Sequence, residues 1–484
     1  MRILVLNPPS PEKSYINRDQ MGGMGQKIDF GKDVKAKFIS LLKTKFIHLP
    51  VMQLVYTATI LSEKHDVLVI DATNEDKTLN QILPKIKMFN PDFTFIAVSS
   101  SGILFERDVV AKKIKELTNS RIITIGDTIP AVPELLKSPF DIAIIGEIEP
   151  VVEKIIAESD LNRIKGIIFR ENNKLVIKER NRLLDGYELE KILFPKWNLF
   201  NYKRFTYYPL LVKEPVAPVL ASRGCPFACH YCSYSENMGC KWRGRSAENV
   251  VDEVERNVNK FRFKGIAFRD PLFSFSAERV KKICRLLKER KIKVIWACET
   301  RPELLTKKII DIMFSSGCRA INVGVESIHP VELKNVGRQP IDPEKLKEIV
   351  HYAEKKGIRV TCFFILGLPG ATRKSVKEII DFSIKLNPSH AEYKVATPFP
   401  GTKLYHRAKE NKWITFENYE KFGGYSSSMQ ISEELSPEFL EKASSDAFKN
   451  FYLRKDYIVR ELFRRNLVSK FMMMGKTIWR MIRK

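Results

Sequence analysis

The feature that most constrains the fold of this chain is a repeated alternation of short apolar, β-branched runs with segments of helical periodicity. A first series fills about the first 150 residues. Its apolar runs predict strands at residues 2–6, 66–70, 93–98, 121–125 and 141–145. Such alternation is typical of a parallel sheet with helices on both faces. The sequence therefore predicts an N-terminal α/β domain with a doubly wound parallel sheet over residues 1–157.

A second series begins after a connector at residues 158–205, in which Asn172-Asn173 suits the turn of a hairpin. Its predicted strands are 218–222, 265–269, 293–297, 320–325, 359–366 and 392–396. Six strand–helix units indicate a partial (β/α)6 barrel of the TIM type, whose active-site loops follow the strands. We assign this barrel to residues 206–410 and a helical C-terminal region to residues 411–484.

Small and polar residues follow the strands of the first series. In a doubly wound sheet, ligands bind beyond the carboxyl ends of the strands. The residues at these positions are Ser99, Ser100, Ser101, Gly126, Asp127, Gly146 and Glu147. We expect this edge of the sheet to bind a ligand.

Three cysteines directly follow the first barrel strand. Cys225, Cys229 and Cys232 have the spacing C-x3-C-x2-C. Iron–sulfur clusters usually take four cysteine ligands, so three without a fourth in register would leave one iron open to a substrate or cofactor. A zinc site would need a fourth ligand, and His230 or Cys240 could be proposed, although neither has a knuckle-like spacing. Three unrelated core cysteines are the other alternative. The pattern favours a four-iron cluster.

The same spacing marks the radical S-adenosylmethionine (SAM) enzymes, and the chain resembles that superfamily over about residues 218–404. In the family, SAM binds the open iron and is cleaved by one electron. The resulting 5′-deoxyadenosyl radical removes a hydrogen atom from an unactivated carbon. The resemblance implies that Cys225, Cys229 and Cys232 are the catalytic ligands of a 4Fe-4S cluster, with reduced ferredoxin or flavodoxin as the electron donor.

Further residues match the segments that line the SAM pocket in this family. Tyr231 occupies the aromatic position beside the adenine, and Gly324 and Glu326 lie in a strand that resembles the ribose-contacting strand. Gly367 and Pro369 belong to a segment that resembles the adenine-side loop, where glycine admits close approach of the backbone. Three strand-end residues also resemble pocket-lining positions, namely Asp270, Glu299 and Arg301.

The N-terminal half resembles the branch of the superfamily that carries a cobalamin-binding-type, Rossmann-like domain. The shared features are NPP after the first strand, the GEIEP turn at 146–150 and the closing barrel segment PFPGTKLYHRA. The chain lacks the Asp-x-His-x-x-Gly motif that places a histidine on cobalt, but many members of the branch bind cobalamin without a protein ligand. Asp127-Thr128 replaces a common Gly-Pro, and Ile148 replaces a common glycine. The resemblance implies bound cobalamin at this edge.

Positive charge concentrates at the C-terminus of a chain whose net charge is +25. Within residues 451–484, apolar side chains recur every three to four positions, at Phe463, Leu467, Phe471, Met474, Ile478 and Met481. A basic amphipathic helix of this kind is typical of membrane surfaces, where each basic residue adds about 1 kcal/mol of binding. We expect peripheral contact with the inner face of a membrane. A helix docked on the barrel and an RNA-binding tail are the alternatives.

Cysteine usage and hydropathy predict the compartment. The sequence has no cysteine before Cys225, no stretch of 18 uncharged apolar residues and no secretory pattern at its start. A cytoplasmic location therefore follows as an expectation. Nucleic acid is not expected as a partner, because the tRNA-methylthiolating relatives need three further cysteines in the N-terminal domain.

These observations predict a radical SAM enzyme. The expected reaction is cobalamin-assisted C-methylation of a hydrophobic, lipid-like substrate. Without cobalamin, the expected reaction is cyclisation, ring contraction or carbon–carbon coupling of a membrane lipid or tetrapyrrole. A non-enzymatic cobalamin- or lipid-binding protein is the alternative from another class.

Overall fold

Two successive sheets form the framework of the chain. The structure, a computed structural model, describes residues 1–11, 16, 18, 47–207, 210, 214–415 and 419–464. Within these ranges, one sheet has seven strands and the other six. The predicted α/β class, with an N-terminal doubly wound sheet and a partial barrel, is confirmed.

The first sheet is mainly parallel. Its strands are β1 (Arg2–Asn7), β2 (Asp66–Asp71), β3 (Phe93–Ala97), β4 (Arg121–Ile125), β5 (Ile142–Ile144), β6 (Ile167–Glu171) and β7 (Lys174–Ile177). Their spatial order is β2-β1-β3-β4-β5-β6-β7, and the first five are parallel. The chain adds β2 on one side of β1 and then β3, β4 and β5 on the other side. The connections therefore change direction between β1 and β3, and ligands bind at such a point in folds of this class.

The hairpin that the sequence analysis assigned to the connector belongs to the first sheet. Strands β6 and β7 pair with each other in antiparallel fashion, and β6 also pairs with β5. Asn172 and Asn173 both have positive φ angles, 48° and 62°, as a tight two-residue hairpin turn requires. The first sheet therefore extends past residue 157.

Helices cover both faces of the first sheet because its strands are apolar on both sides. Ile3 and Val5 join one buried cluster, whereas Leu4 and Leu6 join the cluster on the opposite face. The helical segments are Met52–Leu61, Leu79–Phe89, Ile103–Phe105, Glu106–Ala111, Lys112–Leu117, Thr128–Ala131 and Val152–Ala157. Of these, Glu106–Ala111 is a π-helical turn inside a longer helix, a feature that is frequent at functional sites.

The second sheet curves as a six-stranded parallel barrel. Its strands are β8 (Val216–Val219), β9 (Gly265–Phe268), β10 (Ile295–Thr300), β11 (Cys318–Glu326), β12 (Arg359–Leu366) and β13 (His390–Val395), paired in sequence order. The main outer helices are Ala247–Phe261, Ala277–Glu289, Lys307–Ser315, Pro343–Lys356 and Arg373–Leu386. Each begins after a Ser, Thr or Asp whose side chain accepts a backbone N–H, the arrangement that stabilises helix starts.

The C-terminal region packs against the barrel over its described length. Helices Pro437–Tyr452 and Lys455–Arg464 follow the shorter helix Lys403–Glu410. Phe451 and Tyr457 are buried, and the Tyr457 hydroxyl donates a hydrogen bond to the Ser389 carbonyl at 2.9 Å.

The start of the predicted membrane-binding segment thus lies on the barrel, as the docked-helix alternative expected. Residues 465–484, which carry most of the predicted amphipathic pattern, lie outside the described residues. Among the helices that the structure describes, none combines the length and apolarity needed to cross a bilayer.

Candidate active site

A cavity of about 360 Å³ opens between the carboxyl edges of the two sheets. Both sheets contribute to its walls, so the predicted ligand edge of the first sheet faces the predicted cluster loop of the barrel. The residues named from the sequence that line it are Ser99, Ser100, Ser101, Asp127, Cys225, Cys229, Tyr231, Cys232, Glu299, Arg301, Gly324 and Glu326. One continuous space therefore contacts both predicted cofactor regions.

The three cysteines lie on a loop whose two ends are paired. Residues Ser222–Arg223 and Arg243–Gly244 form a two-stranded antiparallel ribbon, and we name residues 224–242 the cluster loop. Inside it, the Cys225 backbone N–H donates to the Gly239 carbonyl at 3.0 Å. Gly224 has a φ of +82°, and a Cβ there would lie 2.0 Å from the Lys241 carbonyl oxygen. Only glycine fits this close crossing of the loop's two ends.

Burial disfavours ionisation of two of these thiols. Burial raises the pKa of Cys232 to about 12 and also raises that of Cys225. Thiolate, not thiol, binds metals, so deprotonation here would accompany metal binding. In the described part of the chain, no three His, Cys, Asp or Glu side chains converge closely enough to share a single ion. A four-iron cluster has a different requirement, since each thiolate binds its own iron, and three thiols around one cavity fit that donor set.

Arg338 enters the wall of the cavity beside Tyr231, and the sequence analysis did not anticipate it. Its Nη1 lies 3.7 Å from Glu326 Oε1, and its Nη2 donates to the Gly324 carbonyl. Its Nε is buried and has no hydrogen-bond partner among the described residues. Burial raises the pKa of Glu326, and Arg338 acts in the opposite direction. No motif marked this arginine, because the chain brings it to the cavity only through the folded connection after β11.

Other charged residues of the barrel are held in place by neighbours. Glu299 Oε1 accepts a hydrogen bond from Arg269 at 2.7 Å, and the Arg301 guanidinium lies 3.9 Å from the centre of the Phe227 ring. Lys394, a second residue that sequence reasoning missed, also lines the cavity. Burial lowers the pKa of Lys394, whereas Glu392 raises it. The cavity therefore presents cations as well as carboxylates.

We name Ser99, Ser100 and Ser101 the serine edge of the first sheet, and a buried carboxylate holds its first residue. Glu106, in the π-helical turn, accepts hydrogen bonds from the Ser99 backbone N–H at 2.9 Å and from the Ser99 hydroxyl at 3.3 Å. Arg18 pairs with Glu106 and donates to the Pro8 carbonyl at 3.0 Å. The hydroxyls of Ser100 and Thr128 lie 3.0 Å apart. These contacts order the edge before any ligand binds.

Six residues named from the sequence do not line this cavity, namely Gly126, Gly146, Glu147, Asp270, Gly367 and Pro369. Asp270 instead supports the stem of the cluster loop, accepting from the Ala221 N–H at 2.7 Å and the Ser222 hydroxyl at 2.6 Å. Glu147 pairs with Arg223 and Arg243. These carboxylates point to protein donors and do not reach the cavity.

The other four of these residues, Gly126, Gly146, Gly367 and Pro369, lie in turns or close packing contacts. A Cβ at Gly126 would lie 2.4 Å from the Val98 carbonyl oxygen, and one at Gly146 would lie 2.8 Å from Arg180 Nε. Gly367 packs against Leu440, and the Pro369 carbonyl accepts from Asn335 at 2.9 Å. Strand-end position alone does not decide whether a residue faces the cavity.

Comparison with protein families places residues 219–383 in the radical SAM superfamily. The chain is also 29% identical over 422 residues to an uncharacterized methyltransferase of Pyrococcus horikoshii. The alignment covers 86% of this chain and 90% of that protein. The matched domain contains Cys225, Cys229 and Cys232.

Two further relatives extend the similarity. An anaerobic magnesium-protoporphyrin IX monomethyl ester cyclase of Rubrivivax gelatinosus is 24% identical over 408 residues, covering 81% of this chain and 71% of that protein. Among solved structures, the radical S-adenosylmethionine methyltransferase TsrM from Kitasatospora setae, with cobalamin and a 4Fe-4S cluster bound, matches with a TM-score of 0.63 at 18% identity. That match covers 76% of this chain and 73% of TsrM and shows a shared fold.

Proposed function

Because this chain carries a radical SAM domain and is similar over most of its length to an uncharacterized methyltransferase, we propose that it is a cobalamin-dependent radical SAM enzyme that methylates an unactivated carbon of a hydrophobic substrate. The observation that carries the proposal is the shared cavity. Ser99–Ser101 of the first sheet and Cys225, Cys229 and Cys232 of the barrel line the same space. Two cofactors bound at these edges would therefore meet around one substrate.

The cluster loop is the part of the chain that would hold the 4Fe-4S cluster. Cys225, Cys229 and Cys232 supply three thiol ligands, and the lining of the described cavity contains no fourth cysteine. When bound, the cluster supplies the electron that cleaves SAM. The thiols would lose their protons as metal binds. The protein's own task is to hold the loop closed through the ribbon and to keep one iron accessible from the cavity.

Arg338 and Glu326 are suited to orient SAM at that open position. The Arg338 guanidinium lines the cavity and can pair with the carboxylate of the methionine moiety. Glu326, with Tyr231 beside it, can accept hydrogen bonds from ribose hydroxyls. This pair of opposite charges matches a zwitterionic ligand that carries a sugar.

The serine edge would seat cobalamin. The hydroxyls and backbone of Ser99, Ser100 and Ser101, together with Asp127, form a polar surface that needs no protein ligand to cobalt. When bound, cobalamin carries the methyl group that is transferred. Glu106 and Arg18 fix this surface from beneath, so the seat is formed in advance, which lowers the cost of binding.

The substrate would lie between these two regions against an apolar wall. The barrel's last strands and the segments that follow contribute aromatic and aliphatic residues to the cavity, among them Phe363, Phe364, Ile365, Phe399 and Phe422. This wall supports a hydrophobic substrate such as a lipid or a tetrapyrrole. Lys394 offers one positive contact beside it.

A second candidate function is radical cyclisation without cobalamin. It is favoured by the similarity to the magnesium-protoporphyrin cyclase over four fifths of this chain. The two candidates share the cluster and SAM and differ in the occupancy of the serine edge. Cobalt content therefore distinguishes them.

The first experiment is a metal count on protein reconstituted without oxygen, supplied with hydroxocobalamin and desalted. The methyltransferase proposal expects about four irons and stoichiometric cobalt per chain, together with cleavage of SAM after reduction. Replacing Cys225, Cys229 and Cys232 by alanine should abolish iron binding and SAM cleavage together. Cys240→Ala, in the same loop, is the matched control and should retain both.

Either of two results would redirect the assignment. SAM cleavage by the triple variant would contradict the cluster assignment. Four irons without cobalt would favour the cyclisation candidate instead.

A further inference from the structure

Glu147 is a buried carboxylate at the carboxyl edge of the first sheet, just after β5. Its Oε1 accepts hydrogen bonds from Arg223 Nη1 at 3.1 Å and Arg243 Nη1 at 2.9 Å. Its Oε2 accepts from the Leu184 backbone N–H at 2.7 Å. The Glu147 side chain is 2% exposed, and those of the two arginines are 4% and 5% exposed. Both oxygens are thus occupied by protein donors.

The two arginines occupy opposite positions in the ribbon that closes the cluster loop. Arg223 and Arg243 are paired residues of that ribbon. Arg223 also forms hydrogen bonds with Glu149 at 3.1 and 2.5 Å, and Arg243 Nη2 donates to the Met238 carbonyl inside the loop at 2.6 Å. A single carboxylate of the first sheet therefore contacts both strands of the stem, and through Arg243 it also reaches the loop interior.

We propose that Glu147 is a positioning residue that fixes the cluster loop relative to the serine edge, and thereby sets the relative positions of the two cofactors. The inference rests on the proposed function. Its physical basis is that Glu147 and Ser99–Ser101 lie at the same carboxyl edge of the first sheet. Arg223 and Arg243 instead form the ribbon that closes the cluster loop. Because the contact is buried, solvent and salt screen it weakly.

An ordinary structural ion pair would behave differently from a positioning residue. Removing one partner of a buried pair leaves uncompensated charge and destabilises the fold as a whole. A positioning role predicts a defect concentrated at the cluster. The serine edge of the first sheet should stay intact, because Ser99 is held separately by Glu106 and the Ser100 hydroxyl contacts that of Thr128.

The experiment compares Glu147→Gln with the wild-type holoenzyme. The amide keeps the shape of the side chain and loses its charge. We expect iron and cobalt contents close to wild type, at least a tenfold slower SAM cleavage, and loss of the change that SAM produces in the electron paramagnetic resonance spectrum of the reduced cluster. Glu147→Asp should restore part of both signals. Glu179→Gln, which removes an exposed pair with Lys165 at 2.8 Å, is the matched control.

A double variant guards against misfolding of Glu147→Gln. Glu147→Gln combined with Arg243→Gln removes one charge of each sign and leaves the Arg223–Glu149 pair in place. It should fold, bind cobalamin and show the same spectroscopic defect.

Three outcomes are decisive. A wild-type SAM response in Glu147→Gln or in the double variant would overturn the proposal. If both variants lost cobalt and iron together and also melted at a lower temperature, the proposal would be overturned as well, because that result would indicate a general structural role for Glu147. Absence of a cluster signal in the wild type would instead refute the proposed function.

Discussion

Single buried polar residues shape the ligand edge of the first sheet, and Asp71 at the end of β2 is one of them. Its two oxygens accept hydrogen bonds from the side-chain amides of Asn7 and Asn74, both at 2.7 Å. Burial raises its pKa to about 6, although these amides act against the shift. Below about pH 4, Asp71 is protonated in both the folded and the unfolded chain. Above about pH 6, the folded chain must hold a buried carboxylate.

The pKa of Asp71 leads to a prediction about pH and stability. As the pH rises from about 4 to 6, the unfolded chain ionises before the folded one, so stability falls by about 3 kcal/mol. Asp71→Asn removes this loss and adds only a pH-independent change in hydrogen bonding. The melting temperature of Asp71→Asn relative to wild type should therefore be higher at pH 7.5 than at pH 4.5. The exposed Asp66→Asn on the same strand is the control, and a constant difference for Asp71→Asn would contradict the prediction.

At the residue scale, sequence motifs predicted some cavity residues and not others. The three cysteines, Tyr231 and Glu326 were found because short motifs carry them, and they line one cavity. Their ligand roles remain predictions. Arg338 and Lys394 were missed because distant segments bring them to the site. Asp270 and Glu147 were expected at the ligand, but buried donors bind their carboxylates.

At the element scale, the cluster loop depends on how its two ends cross. The predicted barrel strands were recovered to within a few residues because β-branched apolar runs mark buried parallel strands. The membership of the β6–β7 hairpin in the first sheet was not predictable, since the pairing of an edge strand depends on its tertiary neighbours. The crossing at Gly224 likewise has no signal other than the glycine itself.

The prediction for this element is that Gly224→Ala disrupts the cluster loop. The added Cβ would lie 2.0 Å from the Lys241 carbonyl oxygen, and a φ of +82° is strained for alanine. We expect reconstituted protein to lose most of its iron while its cobalamin content stays near wild type. Ser233→Ala, a small change in the same loop without backbone strain, should retain iron. Full iron content in Gly224→Ala would show that the crossing is not required.

At the scale of the whole molecule, the C-terminal helices complete the barrel. Phe448, Phe451 and Tyr457 are buried, and Arg359 forms an ion pair with Glu461 at 3.1 Å. The predicted membrane-binding segment 451–484 therefore combines two parts. Its beginning contributes to the fold, and contact with an anionic membrane remains our prediction for the residues after 464.

Two truncations separate these roles. A chain that ends at Arg464 should keep the wild-type melting temperature and lose binding to vesicles rich in anionic lipid. A chain that ends at Asn450 should in addition melt at a lower temperature, because each large side chain removed from the core forfeits about 2 to 3 kcal/mol. Vesicle sedimentation and thermal melting measure the two effects. Unchanged vesicle binding by the chain ending at Arg464 would contradict membrane contact through residues 465–484.

The closed stem of the cluster loop has a consequence for how this architecture can vary. The chain leaves the barrel at Ser222–Arg223 and returns beside the same point at Arg243–Gly244. The ribbon therefore holds the two ends together beside the same point, whatever lies in the middle of the loop between them. Insertions, deletions or a different ligand set in the middle of the loop, away from the Gly224 crossing and the Arg243–Met238 contact, would leave the neighbouring strand and helix where they are. The barrel and the middle of the cluster loop can thus change in sequence independently of each other.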